Sequence, residues 1–275
     1  MTGVLDGRSA FVTGGGTGIG FACAKALAAD GCAVTIMGRR EERLRQAAEE
    51  LEALGGGGAV RWSAGDVVDE DAIATAVGVA TEATGGLDAA VLSAGTGSAG
   101  PILLTDRSAW QTVLDTNLTG VFLSLKHAGL AMARSGGGSI VAISSVAAAV
   151  THRFMAPYCV SKIAVDGLVR NAADELGVAG IRVNSVRPGI VPTELAAPLE
   201  ADDHVRNDYL SQMPVRRLGS VEDVGNLVRF LAGPESGWIT GENISVDGGH
   251  WLRRGPDIEP WIRAGWGDDA AEGRV

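Results

Sequence analysis

Residues 13–20, TGGGTGIG, decide the fold, because they join a short apolar segment at 10–13 to a helix built from small residues. Glycine adopts positive φ and lets a pyrophosphate approach the backbone without meeting a Cβ atom. Free N–H groups and the helix dipole then favour an anion at this turn. The spacing fits T-G-x-x-x-G-x-G, with glycines at Gly14, Gly18 and Gly20. A strand, a tight turn and a helix in this order predict a dinucleotide-binding site; a glycine-rich loop without a ligand is the alternative.

The rest of the chain continues the alternation of strand and helix. Most of the short segments are apolar throughout, which is typical of strands covered on both faces of a parallel sheet. The sequence therefore predicts a single-domain α/β fold of the Rossmann type, a doubly wound parallel seven-stranded sheet with helices on both faces. The predicted strands are 10–13, 33–37, 60–63, 89–92, 139–143, 181–186 and 244–246, and the predicted helices are 18–30, 41–54, 69–84, 108–135, 157–178 and 221–231.

No linker interrupts this pattern before residue 249. We expect residues 1–249 to form one dinucleotide-binding and catalytic domain. Residues 250–275 form a C-terminal tail that holds three of the six tryptophans. Tryptophan is enriched at interfaces, so the tail is expected to be an interface or an extension of the substrate pocket, or else to fold onto its own subunit. Its end, 267–275, is expected to be disordered.

Composition excludes several classes of partner. The 275 residues carry a net charge of −10, which argues against nucleic acid and against an anionic membrane surface. The 46% of hydrophobic residues are enough for a packed core. Three cysteines lack metal-ligand spacing, so we expect no metal and reduced, buried thiols. We see no signal peptide and no apolar run of about 18 residues, and therefore expect a soluble cytoplasmic protein.

The end of the second predicted strand bears on the choice of cofactor. An acidic residue there would bind the ribose diol of NAD, but the sequence has Gly38 followed by Arg39 and Arg40. Arginine can pair with a 2′-phosphate, so NADP is favoured over NAD unless the two arginines only begin a solvated helix. Asp66 follows the third strand, where the adenine is expected, although an aspartate there can also be a turn residue.

Tyr158 and Lys162 are four residues apart at the start of a predicted helix and therefore share one face. A nearby ammonium stabilises a phenolate, so Tyr158 is a candidate general acid and base with a lowered pKa. Ser144 and Ser145 end the fifth strand at the carboxyl edge of the sheet, where ligands of such folds bind. Asn117 lies on the predicted helix 108–135, where its alternative role is a helix–helix hydrogen bond.

Together these motifs resemble the short-chain dehydrogenase/reductase family in its ordinary single-domain branch. The resemblance runs from about residue 6 to residue 249. The spacing of thirteen residues to Tyr158 selects Ser145 over Ser144. The resemblance rests on residues 13–20, Ser93-Ala94-Gly95, Asn117, Ser145, Tyr158-x3-Lys162, Pro188-Gly189 with Thr193, Ile239-Thr240-Gly241 and Val246-Asp247-Gly248-Gly249.

The resemblance implies an NAD(P)-dependent oxidoreductase acting on CH–OH or C=O. Tyr158 would exchange a proton with the substrate oxygen, and Ser145 would hold that oxygen. Lys162 would bind the nicotinamide ribose and lower the pKa of Tyr158. Asn117 would position a water molecule in a proton relay from Lys162.

The resemblance also implies a set of cofactor contacts along the carboxyl edge of the sheet. One departure is Ser93, where the family commonly has an asparagine that fixes the central strand. We expect this change to be tolerated. The implied cofactor-binding residues are Gly14, Thr17, Gly18, Ile19, Gly20, Arg39, Arg40, Asp66, Val67, Ser93, Ala94, Gly95, Tyr158, Lys162, Pro188, Gly189, Ile190 and Thr193.

The sequence restricts the substrate only to a chemical class. The segment 146–156 is mostly apolar, which favours a hydrophobic secondary alcohol or ketone such as a 3-oxoacyl or steroid-like carbonyl. His152 and Arg153 either bind an anionic group or lie exposed at a loop tip. The segment 190–214 is expected to form a mobile helical lid.

Two other functions stay open. A catalytically idle dinucleotide-binding sensor or scaffold would not need Asn117, Ser145, Tyr158 and Lys162 together. A carbon–carbon double-bond reductase would have a longer gap between tyrosine and lysine. The family is commonly oligomeric, and the expected assembly is a homotetramer or a homodimer.

Overall fold

Seven strands form one wholly parallel sheet in the computed structural model, which describes residues 3–274. The order across the sheet is β3-β2-β1-β4-β5-β6-β7, so the direction of winding reverses between β1 and β4. All seven predicted strands are confirmed, with ends within two residues of those predicted. Their bounds are β1 Ser9–Thr13, β2 Ala33–Gly38, β3 Val60–Ala64, β4 Ala89–Leu92, β5 Gly138–Ile143, β6 Ile181–Pro188 and β7 Asn243–Val246.

Helices cover both faces, and the predicted doubly wound fold is confirmed. The helix predicted at 108–135 is three consecutive elements: an α-helix, a π-helical turn at Asp115–Thr119, and a second α-helix. The α-helices are α1 Gly18–Ala29, α2 Glu41–Glu52, α3 Glu70–Thr81, α4 Arg107–Leu114, α5 Gly120–Ser135, α6 Ala156–Leu176, α7 Ala197–Ala201, α8 Asp203–Gln212, α9 Val221–Ala232, α10 Glu259–Trp266 and α11 Asp268–Ala271.

Two apolar cores lie on opposite faces of the sheet. One joins the sheet to α1, α2 and α9 through residues such as Leu27, Leu44 and Val228. The other joins it to α3, α5 and α6, with Ile73 and Met132 fully buried. Because both faces are covered, the strands need apolar side chains in both directions, which explains their continuous apolar sequences.

A third apolar cluster lies beyond the carboxyl ends of the strands. It brings together Met155 from the loop before α6, Tyr209 from α8, and Ile258 and Trp261 from the tail. The tail is also held to α8 by an ion pair of 2.6 Å between Arg254 and Asp208. The tail thus folds onto its own chain at Ile258 and Trp261, which is the alternative that the sequence left open.

The end of the tail differs from prediction. Residues 268–271 form α11, and Ala270 and Ala271 are buried. The Arg153 guanidinium donates a hydrogen bond of 3.1 Å to the carbonyl oxygen of Ala271. The expectation of disorder is wrong here, because contacts with the body of the protein hold this short helix; Val275 lies outside the described residues.

Candidate active site

The glycine-rich turn after β1 has the backbone that the sequence requires. Gly14 and Gly18 have φ values of +66° and +57°, a region that favours glycine. Gly20 is buried, and a Cβ atom there would lie 2.3 Å from the carbonyl oxygen of Gly14. Gly20 therefore serves the packing of α1 onto the turn. Ile19 beside it packs against the apolar core.

The neighbouring strand end is fixed by a hydroxyl that the sequence analysis did not single out. Thr13 Oγ1 accepts hydrogen bonds from the backbone N–H of Ser93 at 3.0 Å and of Ala94 at 3.2 Å. These bonds tie the end of β4 to the end of β1, at the point where the winding reverses. They fix the strand through the backbone of Ser93, so this contact does not depend on the side chain at position 93. Thr13 could have been found as the first residue of the glycine motif.

A cleft of about 170 Å³ opens beside this turn. It contains eight of the predicted cofactor residues, from the ends of β1, β2, β3 and β4. The sequence analysis missed Gly16, Arg43, Leu44, Gly65 and Thr116, of which Arg43 follows Arg39 by one helical turn. The residues lining the cleft are Gly14, Gly16, Thr17, Gly38, Arg39, Arg40, Arg43, Leu44, Gly65, Asp66, Val67, Ala94, Gly95 and Thr116.

Three arginines give one wall of the cleft a positive charge. Arg40 forms an ion pair of 2.9 Å with Glu194, and Arg43 lies 3.9 Å from the same carboxylate. Arg39 lies 3.8 Å from Asp66, and its side chain is 77% exposed. An exposed pair at this distance is weak, so the Arg39 guanidinium is available to another anion.

The cleft continues from the glycine-rich turn towards the candidate catalytic residues. A Cβ atom at Gly95 would lie 3.3 Å from Asn117 Oδ1 and 3.7 Å from Lys162 Nζ. Gly95, which lines the cleft, therefore lies next to both side chains. The glycine turn, the positive wall and the position of Gly95 fit an elongated dinucleotide with its reactive end towards Lys162.

The segment after β6 forms the opposite side of the site. The Thr193 side chain lies over the glycine-rich turn, since a Cβ atom at Gly18 would be 3.3 Å from its Cγ2 atom. Gly189 donates a hydrogen bond of 3.0 Å to Val246, and the Cβ atom it lacks would lie 2.9 Å from Asp247 Cα. Ile190 is buried in the third apolar cluster. Pro188 ends β6 and pairs with Val246.

Ser145, Tyr158 and Lys162 come together where β5 ends and α6 begins. Lys162 Nζ donates a hydrogen bond of 2.8 Å to the carbonyl oxygen of Ile143 and lies 5.7 Å from the centre of the Tyr158 ring. Burial lowers the pKa of Lys162 to about 8, and the nearby Asp166 carboxylate partly opposes this shift.

The pKa of Tyr158 departs from the expectation. Burial raises the pKa of the phenol above its usual value, and the hydrogen bond with Ser145 only partly opposes the shift. The expected lowering by Lys162 is not found in this geometry. The reason is that burial dominates the pKa of the phenol, while the Lys162 amine is directed at a backbone carbonyl. A phenol in this state is protonated at neutral pH.

Asn117 lies in the π-helical turn, and its side chain is fully buried. Its amide nitrogen donates to the carbonyl oxygen of Thr96 at 2.9 Å and to Ser161 Oγ at 3.1 Å. Its Oδ1 accepts from the N–H of Thr96 at 2.7 Å. The side chain therefore holds the loop after β4 against α6, which matches the alternative role of a helix contact. Because the amide nitrogen and oxygen are both bonded, only the backbone of Asn117 is left for a proton relay. Single π-helical turns occur frequently at functional sites.

The two polar residues of the substrate-side loop have different surroundings from those expected. His152 is buried, and its Nδ1 atom lies 2.8 Å from the carbonyl oxygen of Val150. Arg153 forms an ion pair with Glu259 of the tail. The expectation that His152 lies exposed at a loop tip is therefore wrong, because the tail and α8 cover this side chain. The Arg153 guanidinium is already paired with a carboxylate of the same chain.

Comparison with known proteins agrees with this geometry. Residues 14–250 match the family model described as enoyl-(acyl carrier protein) reductase. A short-chain type dehydrogenase/reductase from Mycobacterium ulcerans has a solved structure that is 45% identical, with a TM-score of 0.96, covering 98% of this chain and 99% of that one.

Two characterised relatives are similar over most of their length. The short-chain reductase protein NovJ of Streptomyces niveus is 39% identical over 245 residues, which are 87% of this chain and 92% of NovJ. The cis-4-hydroxycyclohexanecarboxylate dehydrogenase of Sinomonas cyclohexanicum is 38% identical over 244 residues, covering 88% and 96% of the two chains.

The chain belongs to the short-chain dehydrogenase/reductase family. It is an NAD(P)-dependent oxidoreductase that acts on CH–OH or C=O groups. Within residues 3–274, no helix combines the length and the apolar character needed to span a bilayer.

Proposed function

We propose that the chain is an NADP-preferring carbonyl reductase or alcohol dehydrogenase for an apolar ketone or secondary alcohol. The observation that carries the proposal is the convergence of Ser145, Tyr158 and Lys162 beside the cleft. The nicotinamide cofactor, when bound, supplies or accepts the hydride. Ser145 donates a hydrogen bond to the substrate oxygen. Tyr158, protonated at neutral pH because of its raised pKa, gives its proton to that oxygen during reduction.

The positive wall of the cleft supports NADP over NAD. Position 38, at the end of β2, has a glycine where a carboxylate would bind a ribose diol, and Arg39, Arg40 and Arg43 line the cleft instead. A guanidinium binds a phosphate through paired, charge-assisted hydrogen bonds. We assign the 2′-phosphate to Arg39, since Arg40 and Arg43 already face Glu194.

The apolar substrate is supported by the cluster around the phenol. Tyr158 packs against a group that includes Ala147, Met155, Ile190 and Met213, all of them buried. Apolar side chains of this kind remove water from the reacting carbonyl and favour a hydrophobic ligand. Specificity comes from the few polar groups among them.

Reduction of a carbon–carbon double bond is the second candidate, because the matched family model carries the description of an enoyl reductase. The four-residue spacing of Tyr158 and Lys162 and the influence of Ser145 on the pKa of the phenol favour carbonyl chemistry. A catalytically idle sensor has no use for these groups together.

A screen of cofactor oxidation tests the function. The purified protein is mixed with NADPH or NADH and a panel of apolar ketones, diketones, steroids, 3-oxoacyl thioesters and one enoyl thioester. We expect oxidation of NADPH with at least one ketone. Tyr158→Phe should lower kcat by about 10²- to 10⁴-fold while NADPH still binds, because it removes only the exchangeable proton.

Ser145→Ala and Ser144→Ala provide a matched pair for the same screen. Ser145→Ala should lower kcat strongly. Ser144→Ala should stay within about threefold of the unaltered enzyme, because the Ser144 hydroxyl donates to the backbone carbonyl of Lys162 at 3.3 Å. Unchanged turnover in Tyr158→Phe, or oxidation with the enoyl thioester alone, would contradict the assignment.

We further propose a cytoplasmic homotetramer. The three free, buried thiols suit a reducing compartment. Phe122 on α5 and Ile163 on α6 are exposed apolar side chains on one face of the sheet, and Trp238 before β7 is wholly exposed. Phe122 and Ile163 form an α5–α6 patch, and Trp238 is a separate exposed apolar site. Two such sites are what a tetramer with two kinds of two-fold interface needs. A homodimer would use the α5–α6 patch alone.

A further inference from the structure

Three polar rings from separate parts of the chain pack together beside the candidate catalytic tyrosine. His152 precedes α6, Tyr209 lies on α8, and His250 is the first residue of the tail. Their ring centres are 5.4 to 6.2 Å apart, and Tyr209 meets His250 edge to face. All three are more than nine-tenths buried. A polar cluster this deep needs hydrogen-bond partners.

Backbone carbonyls determine which nitrogen of each histidine carries the hydrogen. His152 Nδ1 lies 2.8 Å from the carbonyl of Val150, and His250 Nε2 lies 2.6 Å from that of Arg254. A carbonyl only accepts, so these nitrogens donate and the other nitrogen of each ring is an acceptor. Burial lowers the pKa of His250 and lowers that of His152 to about 4, so both rings are neutral at pH 7. The cluster carries no charge to attract an anion.

Within the described part of the chain, Tyr209 and His152 are the members of the cluster with a polar side-chain atom that is unpartnered yet accessible, and Tyr209 is the one with a hydroxyl to donate. Its side chain is only 4% exposed, and its hydroxyl forms no hydrogen bond within residues 3–274. Among those residues, the side-chain atoms that are both inaccessible and unpartnered are Arg206 Nε and His250 Nδ1. The Tyr209 hydroxyl is therefore accessible as well as unpartnered. A largely buried phenol whose hydroxyl is accessible and has no protein partner is free to bond to a bound ligand.

Tyr209 lies in the same apolar cluster as the reacting phenol. That cluster also contains Met155 and Ile190. The two phenols are close enough for Tyr158 to add to the effect of burial in raising the pKa of Tyr209. A molecule whose oxygen lies at Ser145 and Tyr158 thus meets the apolar cluster that contains Tyr209.

We propose that Tyr209 is a specificity-determining residue that binds a second, uncharged oxygen of the substrate. This inference rests on the proposed function. It narrows the substrate class from apolar ketones to ketones with a hydroxyl or a second carbonyl, that is, hydroxyketones, diketones and the corresponding diols. His152 and His250 pack against the Tyr209 ring and hold it in place. They act as positioning residues, and the tail contributes to the pocket through His250.

Matched ketones test the proposal with the full chain and NADPH. The probes are 4-hydroxycyclohexanone and 4-methylcyclohexanone, which differ in one polar group. We expect the unaltered enzyme to prefer the hydroxyketone by about tenfold in kcat/KM, the effect of one hydrogen bond. Tyr209→Phe should raise KM for the hydroxyketone by about tenfold with kcat unchanged, and leave the methyl ketone unaffected. Asn207→Ala, an exposed change on the same helix, is the control.

Each outcome decides the matter. Equal kcat/KM for the two ketones in the unaltered enzyme overturns the proposal, even if Tyr209→Phe fails to fold. Equal losses for both ketones in Tyr209→Phe also overturn it, because they show a structural role. A melting shift of the NADP complex by 4-hydroxycyclohexanone that Tyr209→Phe removes supports the site without any turnover. Such binding in the absence of turnover would count against the proposed reaction alone.

Discussion

Arg39 illustrates how much one exposed residue can decide. It follows β2 directly, and its guanidinium faces the cleft with only a weak ion pair to Asp66 at 3.8 Å. A charge-assisted contact with phosphate contributes about 1.5 to 3 kcal/mol. We expect Arg39→Ala to raise KM for NADPH at least tenfold and to leave KM for NADH nearly unchanged, as measured by steady-state kinetics with either cofactor.

Arg45→Ala is the matched control for this prediction. Arg45 lies on α2, the helix that follows Arg39, but pairs with Glu41 and Glu42, away from the cleft. Its replacement should affect neither cofactor. An equal rise of KM for NADPH and NADH in Arg39→Ala would argue against the assignment of the 2′-phosphate to this residue.

Residues adjacent to a strand end were accessible to prediction, whereas residues that meet across the fold were not. Gly14, Ser145 and Tyr158 stand in motifs with fixed spacing. Tyr209 has no such motif, and its contact with His250 joins two segments that are distant along the chain. The raised pKa of Tyr158 was missed for the same reason, because desolvation depends on everything that packs around the group.

At the scale of the element, two helical glycines have opposite surroundings, one crowded and one open. Gly20 in α1 faces the carbonyl of Gly14, and an added Cβ would lie 2.3 Å from that oxygen. Gly78 in α3 faces open space, and its φ is negative. We expect Gly78→Ala to stabilise the protein by about 0.5 to 1 kcal/mol, because alanine loses less backbone entropy. Gly20→Ala should lower the melting temperature and weaken NADPH binding, since α1 must move away from the turn.

Thermal melting and NADPH fluorescence on both variants check this prediction. A Gly20→Ala protein that binds NADPH like the unaltered chain would show that the tight packing of α1 is not needed for the site.

The π-helical turn at Asp115–Thr119 shows the limit of predicting helices and strands from sequence patterns. Its residues suit an α-helix, and the extra residue per turn accompanies the bonds from Asn117 to Thr96 across the fold.

At the scale of the whole molecule, the first prediction concerns assembly. Ile163 on α6 is 52% exposed, on the face of the sheet opposite to α2. We expect Ile163→Asp to lower the mass in solution below that of the unaltered protein, the proposed tetramer, because a charge would be buried at the contact. Light scattering after size exclusion measures this. Leu54→Asp, an exposed apolar residue after α2, is the control; a tetramer unchanged by Ile163→Asp would remove the α5–α6 patch from the assembly.

The second prediction concerns alkaline stability. Burial raises the pKa of Cys23 and of Cys32 from 9.0 to about 12. Between these values the unfolded thiols have lost protons that the folded protein keeps, so the free energy of unfolding falls as pH rises. The slope is about 1.4 kcal/mol per pH unit for each thiol. Lys162, with a lowered pKa, opposes the fall in every variant that retains it.

Urea unfolding at about pH 8, 9 and 10 measures that slope. Cys23→Ala should show a shallower fall than the unaltered protein. Val228→Ala, another buried change, should lower stability by a similar amount at each pH and keep the slope. Parallel curves for Cys23→Ala and the unaltered protein would show that this thiol does not titrate differently on unfolding.

The sequence alone determined the order of strands and helices, the glycine turn, and the places of Ser145, Tyr158 and Lys162. It could do so because local spacing and hydrophobic pattern act within a few residues. Only the tertiary structure decided that Thr13 fixes β4, that the tail covers α8, and that His152, Tyr209 and His250 meet beside Tyr158. These contacts join residues far apart in the chain, and their burial and pKa values depend on the packing of the whole fold.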